Sequence, residues 1–304
     1  MLKRRLIRSG LFGNLLLLML AVAHSAGIKP ASFSKPVISD TTIHWLRFDP
    51  VLLQLSSSSE MDLLNAPVIT LNKQAAKFVD DYIAKNCSLL QNVKDKNPRY
   101  FRIMDEVFTK YKLPLQLKYL AIIESELNIR AVSRVGAAGP WQLMPETARI
   151  LSLKVTKKYD ERTHFYKSTV AAAKYLRDLY QLFDDWTLTI AAYNAGPAPV
   201  YKAIKISGSR NFWKLQYHLP AETRNHVKKY IGTHYFFEGH GSITTLTKDE
   251  RIVYTRAMLT YVEKQNVLLK EKMEKEAAEK TKENDCTKTE VAVAGRVGEI
   301  EVNE

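Results

Sequence analysis

From Asn72 onward apolar residues recur at helical spacing, and prolines, glycines and paired acids cut that pattern into segments. Asn72 has the chemistry of an N-cap for a helix carrying Phe78, Tyr82 and Ile83 on one side. Pro98 opens a second helix, with Ile103, Val107, Phe108 and Tyr111 sharing a face. Pro114 fits the first turn of a third, where its missing N–H costs nothing, and this helix runs to Glu124. Ser168 is expected to cap a long helix with Ala172, Leu176, Leu179, Tyr180 and Phe183 on its apolar face. Asp184 and Asp185 form a turn, and Trp186 begins a strongly apolar helix that ends at Gly196-Pro197. Another helix starts at Pro220 and carries Glu222, Thr223, Val227, Tyr230, Ile231 and His234. No strand-rich stretch and no internal repeat interrupts this series, so the expected fold is mainly α.

The two ends of the chain read differently. Residues 1–25 have a basic start (Lys3, Arg4, Arg5, Arg8), the apolar run Leu11–Ala23 and small residues before Ala26, the pattern of a cleaved export signal. The apolar run is short for a membrane span and holds Asn14. The expectation is therefore no transmembrane span in the mature chain, with retention as an anchor the alternative. No cysteine lies near the cut, which speaks against a lipoprotein anchor. Residues 26–71, with their prolines and the run Ser56–Ser59, read as an extended leader, and 72–112 as helices packed on a main domain at 113–237. A Gly/Thr loop and an amphipathic helix with Val253, Ala257, Leu259 and Val262 fill 238–270. The charged segment 271–304 begins as a solvated Lys/Glu/Ala helix and ends in residues expected to be disordered.

Composition narrows the functional classes. At 46% hydrophobic and 25% charged, the bulk of the 304 residues is globular. Cys87 and Cys286 stand far apart, which argues against a disulfide framework and offers no metal-ligand spacing. The formal charge of +13 falls to +9 without the first 25 residues, still favouring an acidic partner. Nucleic acid is disfavoured because no basic run alternates with aromatics as a stacking surface requires. A polyanionic envelope polymer fits the charge equally well.

Candidate chemistry centres on Lys118–Asn128. Ala121, Leu120 and Leu117 precede Glu124 by three, four and seven residues, so this glutamate continues an apolar helix face. A carboxylate in such a setting loses hydration of its charged form and keeps its proton to higher pH, which a general acid needs. A half-exposed glutamate near a helix end is the competing reading. The loop that follows places Gly136 and Gly139, which allow close approach of another chain, ahead of Trp141 and Gln142. An aromatic ring beside an amide suits a sugar, although a turn followed by a core tryptophan explains the same residues. Asn194 at the end of an apolar helix needs a partner for its amide or serves as a C-terminal cap, with Tyr193 packed beside it.

Four segments taken together resemble a known family. Glu124-Ser125, Gly136-Ala-Ala-Gly-Pro-Trp-Gln-Leu-Met-Pro145, Ala192-Tyr-Asn-Ala-Gly196 and Glu222-Thr-Arg-Asn-His-Val227 are similar, in order and spacing, to the motifs of the soluble-lytic-transglycosylase (SLT) type catalytic domain. The Pro-Trp-Gln variant and the run Leu-Pro-Leu-Gln-Leu-Lys-Tyr-Leu-Ala-Ile-Ile resemble the subgroup of membrane-bound lytic murein transglycosylase D. The resemblance implies a goose-lysozyme-like α domain with a small β-hairpin around Ser133–Trp141. It also implies a lyase that cuts the β-1,4 bond between N-acetylmuramic acid and N-acetylglucosamine in peptidoglycan. Glu124 matches the catalytic acid/base and Ser125 its motif partner. Gln142, Trp141, Tyr193, Asn194, Glu222 and Tyr230 are then substrate-binding candidates. Glycan strands of peptidoglycan are the implied partner, with other cell-wall enzymes further ones, in the periplasm of a Gram-negative bacterium at its envelope. Sugar-binding LysM modules, usual after this domain in the subgroup, are not found in the sequence.

Most glycosidases need two carboxylates at a set separation. Glu126 is two residues from Glu124 and would point about 200° around a helix from it. Asp184 and Asp185 fall in a turn and Asp160 in a loop, so no partner carboxylate stands out. The family's one-carboxylate scheme, which closes a 1,6-anhydro ring without water, metal or cofactor, agrees with this. A hydrolytic muramidase acting on the same bond and a non-catalytic wall-binding scaffold are the alternatives.

Overall fold

The computed structural model describes residues 66–297, with side chains through residue 280. The export signal and most of the leader lie outside the described residues. Val68–Ile252 make one compact body, and residues from Val253 onward belong to a second unit.

Helix α1 (Lys73–Lys96) is capped as the sequence implies, the Asn72 side chain accepting from Gln74 N–H. Pro98 opens α2 (Pro98–Lys110). After a single 3₁₀ turn at Leu115–Lys118, α3 (Tyr119–Ser125) carries Glu124 in its last turn. The short α4 (Pro145–Ile150) follows the glycine-containing loop. Helices α5 (Phe165–Phe183) and α6 (Trp186–Ala195) are split at Asp184-Asp185, and Asp185 caps α6 by accepting from Leu188 N–H. Three further helices complete the body: α7 (Pro197–Ser207), α8 (Phe212–Leu215) and α9 (Ala221–Glu238). The last helix, α10, covers Lys248–Val297.

Every residue of α6 from Trp186 to Ala192 is buried, as expected of a helix that is apolar all round. It packs against α5, α7 and α9, while α9 also packs on α1 and α3. The α1–α9 crossing is close: a Cβ on Gly232 would lie 2.6 Å from the Tyr82 ring. The expected mainly α architecture is therefore present.

Three local expectations change. Ser168 is not the cap of α5: the helix starts at Phe165, and the His164 ring accepts from Lys167 N–H. Ser168 is buried one turn inside, donating to the carbonyls of His164 and Phe165. In place of a hairpin at Ser133–Trp141, the chain makes isolated antiparallel bridges, Val132 with Ala138 and Ala138 with Leu143. Positive φ at Gly136 (88°), Gly139 (78°) and Gln142 (44°) breaks the extended backbone that a ladder needs. The solvated helix expected from Lys270 runs on to Val297, into residues expected to be disordered. Its Lys/Glu/Ala sequence favours helix, and Lys270–Glu274 and Lys272–Glu276 pair at 3.9 Å along it.

Candidate active site

Glu124 reaches its position because α3 stops immediately after it. Glu126 and Leu127 adopt left-handed backbone (φ 58° and 64°), turning the chain away into the loop. Glu126 is therefore a helix cap rather than a helical residue, and it is exposed. The Glu124 side chain keeps 14% of its surface accessible, and its Oε1 lies 2.8 Å from His226 Nε2 on α9.

The loop behind Glu124 is held by contacts that its composition alone does not announce. Arg162 is buried, and its guanidinium donates to the carbonyls of Gly136 (2.7 Å) and Leu143 (2.9 Å) while gripping Asp160. Hydrogen bonds from Arg162 hold the Asp160 carboxyl below the usual range. Gly139 sits against the same segment: a Cβ there would stand 1.9 Å from the Arg162 carbonyl oxygen. The close approach expected of this glycine is real, and its partner is the backbone of residue 162.

With the loop fixed, its carbonyls receive side chains from two helices. The Ser125 hydroxyl donates to Pro140 O at 2.9 Å, and the Tyr193 hydroxyl donates to Trp141 O at 2.7 Å. Burial first, then the charges of Glu124 and Tyr175, push the Tyr193 phenol well above its ordinary range. Asn194, next on α6, accepts at Oδ1 from the Thr223 hydroxyl of α9 at 2.8 Å. His226, one turn beyond Thr223, returns to Glu124. Four segments distant in sequence thus form a closed circuit: α3 to the loop, the loop to α6, α6 to α9, and α9 back to α3.

Part of the circuit lies in a stretch that is similar to a known family. Residues 105–216 match the one described as Transglycosylase SLT domain. The matched segment holds Glu124, Ser125, Gln142, Tyr193 and Asn194, whereas Thr223 and His226 lie beyond it. Membrane-bound lytic murein transglycosylase D of Escherichia coli (strain K12) is 39% identical over 152 residues, 48% of this chain and 33% of that protein. A putative tributyltin chloride resistance protein of Alteromonas sp. (strain M-1) is 38% identical over 108 residues, 35% of this chain and 52% of that one. The chain thus spans a third to a half of the length of these relatives. Among solved structures, the 70 kDa soluble lytic transglycosylase SLT70 of Escherichia coli aligns with a TM-score of 0.45 and 22% identity, over 58% of this chain and 31% of that one. An inactive mutant of the lytic transglycosylase Slt from Pseudomonas aeruginosa aligns with a TM-score of 0.40 and 23% identity, over 45% and 24%.

The expected site residues divide. Glu124, Ser125, Tyr193 and Asn194 are brought together. Gln142 borders them, but its amide nitrogen donates to Ala131 O (3.2 Å) and Gly139 O (2.9 Å), which closes the loop on itself. Trp141 is not a sugar platform. Its side chain is fully buried, donates to Thr169 Oγ1 at 3.0 Å and packs on Phe108, so the core reading of this tryptophan holds. Tyr230 is also fully buried, its hydroxyl donating to Thr244 Oγ1 at 2.7 Å. Glu222 is exposed in the first turn of α9. Besides the exposed Glu126, the other acids considered as a second carboxylate are engaged elsewhere. Asp160 holds Arg162, Asp184 pairs with Lys248 and Arg251, and buried Asp185 accepts from Thr187, Leu188 N–H and Lys248 N–H.

Thr223, His226 and Arg162 are the residues that sequence reasoning missed. Thr223 and His226 lie three apart on the face of α9 that also bears Val227 and Tyr230, so helical spacing could have placed them. Arg162 shows only a weak signal, an arginine two residues after an aspartate in a polar stretch.

Proposed function

We propose that this chain is a peptidoglycan lytic transglycosylase. Glu124 gives its proton to the oxygen bridging N-acetylmuramic acid and N-acetylglucosamine as the bond to the muramic C1 breaks. The substrate's acetamido group stabilises the positive centre, a substrate-assisted route known among glycosidases. Ionised Glu124 then takes the proton of the sugar's own C6 hydroxyl, and O6 bonds to C1. The products are an N-acetylglucosamine end and a 1,6-anhydromuramoyl end, with no water consumed and Glu124 protonated again. Asn194, whose Oδ1 is occupied by Thr223, offers its amide N–H groups to the sugar's acceptors. Tyr193 and Ser125 keep the floor of the site in place through Trp141 O and Pro140 O, with Gln142 and Glu222 at its edges.

The observation that carries this reading is the circuit closing on one mostly buried carboxylate, while Asp160, Asp184 and Asp185 are bonded elsewhere and Glu126 is exposed. The 39% identity to a lytic murein transglycosylase supports the substrate class. Together with the basic charge and the export-type start, it also supports action on peptidoglycan in the periplasm, at the envelope. Among the described residues, no helix is long and apolar enough to cross a membrane.

Digestion of purified sacculi followed by muropeptide mass spectrometry tests the proposal. Anhydro ends, lighter by one water than hydrolytic products, are expected; reducing ends alone would assign a muramidase. Glu124→Gln should abolish release of either product while pelleting with sacculi as the wild type does.

A further inference from the structure

His226 is mostly buried, and its two ring nitrogens have opposite surroundings. Nε2 lies 2.8 Å from Glu124 Oε1, whereas Nδ1 is buried and has no hydrogen-bond partner. A proton on Nδ1 would be a buried donor with nothing to receive it, and it would bear the full loss of hydration. That disfavours both the Nδ1–H tautomer and the imidazolium, in which both nitrogens are donors. What remains is the neutral ring with its proton on Nε2, donating to Glu124 Oε1.

The other ionisable groups around the pair are accounted for. From α6, Tyr193 faces Glu124 with its phenol held neutral by burial and by that carboxylate, and Tyr175 of α5 stands behind it at 5.5 Å between ring centroids. On α9 itself, the Arg224 guanidinium lies over Tyr217 (5.3 Å) and Lys228 over Phe78 (6.0 Å). On α1, Tyr82 turns its hydroxyl to Thr233. At the end of α3, Glu126 is exposed.

We propose that His226 is the positioning residue of Glu124: by donating to Oε1 it reserves Oε2 as the oxygen that gives up and takes back the catalytic proton. A carboxyl free to rotate presents either oxygen, and only one can be aligned with the scissile bond. With Oε1 engaged, the acid proton resides on Oε2 in the ground state. After transfer, the same N–H steadies the carboxylate until the C6 hydroxyl returns a proton. This deepens the lytic reading and rests on it for the reaction, but the tautomer and the hydrogen bond stand independently.

Nitrogen-15 NMR of the full chain labelled at histidine, with His226→Gln used for assignment, tests the hydrogen bond directly. The expected signals are a protonated Nε2 and a bare Nδ1; a protonated Nδ1 would overturn the proposal. Kinetics on sacculi test its consequence. His226→Phe fills the space without a donor, and kcat should fall about 10- to 100-fold with KM little changed. His226→Gln keeps an N–H near the Nε2 position and should recover most of the rate. Equal losses in the Phe and Gln variants would reduce His226 to packing. A wild type that releases only reducing ends would overturn the lytic reading and leave these comparisons intact.

Discussion

Helix α9 buries two histidines eight residues apart, and its two ends use them differently. Both have Nε2 in a 2.8 Å hydrogen bond and Nδ1 buried without a partner. At the N-terminal end, His226 meets a carboxylate from another helix, with part of that carboxylate open to solvent. At the C-terminal end, His234 meets the Ser242 hydroxyl, which continues through Thr244 to the hydroxyl of Tyr230 in a chain of neutral groups. The rings of Tyr119, Tyr230 and Tyr235 surround it. Burial, with the charge of His240 second, pushes His234 down from 6.5 to about 3. Residue type, helix and burial are shared, so the partner alone separates a group that can guide a proton from one that only completes a core.

Exchanging the partners gives the largest expected contrast. Glu124→Gln should lower turnover on the order of 10²- to 10⁴-fold, the range for a positioned acid–base group. Its melting temperature should stay close to that of the wild type, since the amide oxygen can still accept from His226. A turnover comparable with wild type would remove Glu124 from the chemistry.

The pH dependence of stability should single out the other end. The folded-state value of His234 lies below its unfolded value, so below pH 6.5 the unfolded chain takes up a proton that the folded chain refuses. Stability is therefore lost as pH falls from 6.5 toward about 3, by up to about 1.4 kcal/mol per pH unit. His234→Gln cannot take up that proton, and urea unfolding at pH 7, 6 and 5 should show a shallower acid loss than in the wild type. Parallel losses would mean that His234 already carries its charge in the folded protein.

The smallest effect is expected at Ser242. Ser242→Ala removes the partner of His234 and the cap of the 3₁₀ turn Ile243–Thr245, and should cost about 1–2 kcal/mol of stability. Cleavage of sacculi at 25 °C should be unchanged. A fall in rate without a fall in stability would show that the two ends of α9 communicate.

The helix series was legible because its punctuation is local. Asn72, Pro98, Asp185 and Gly196 act through their own backbone or the next few residues. Glu124, Ser125, Tyr193 and Asn194 were legible as a group because four motifs stand in a recognisable order. What escaped depends on partners set by the fold. Trp141 is core rather than platform because Thr169, 28 residues on, receives its N–H. His226 matters because Glu124, 102 residues earlier, lies across from it. Ser168 has the chemistry of a cap, but α5 begins earlier because His164 supplies that function first. In place of the hairpin there are isolated bridges, because positive φ at Gly136, Gly139 and Gln142 interrupts the extended backbone.

Arg162 has one more implication. The carbonyls that receive Ser125 and Tyr193 belong to a loop clamped at both ends by a single planar fork, itself seated on Asp160. Both carbonyls share Nη1, and a lysine could not serve them while also gripping Asp160 as Nε and Nη2 do. The loop's conformational entropy is therefore surrendered during folding instead of at the moment a ligand arrives. A sugar strand entering the site would meet a floor already set, and its binding energy would remain for distorting the sugar.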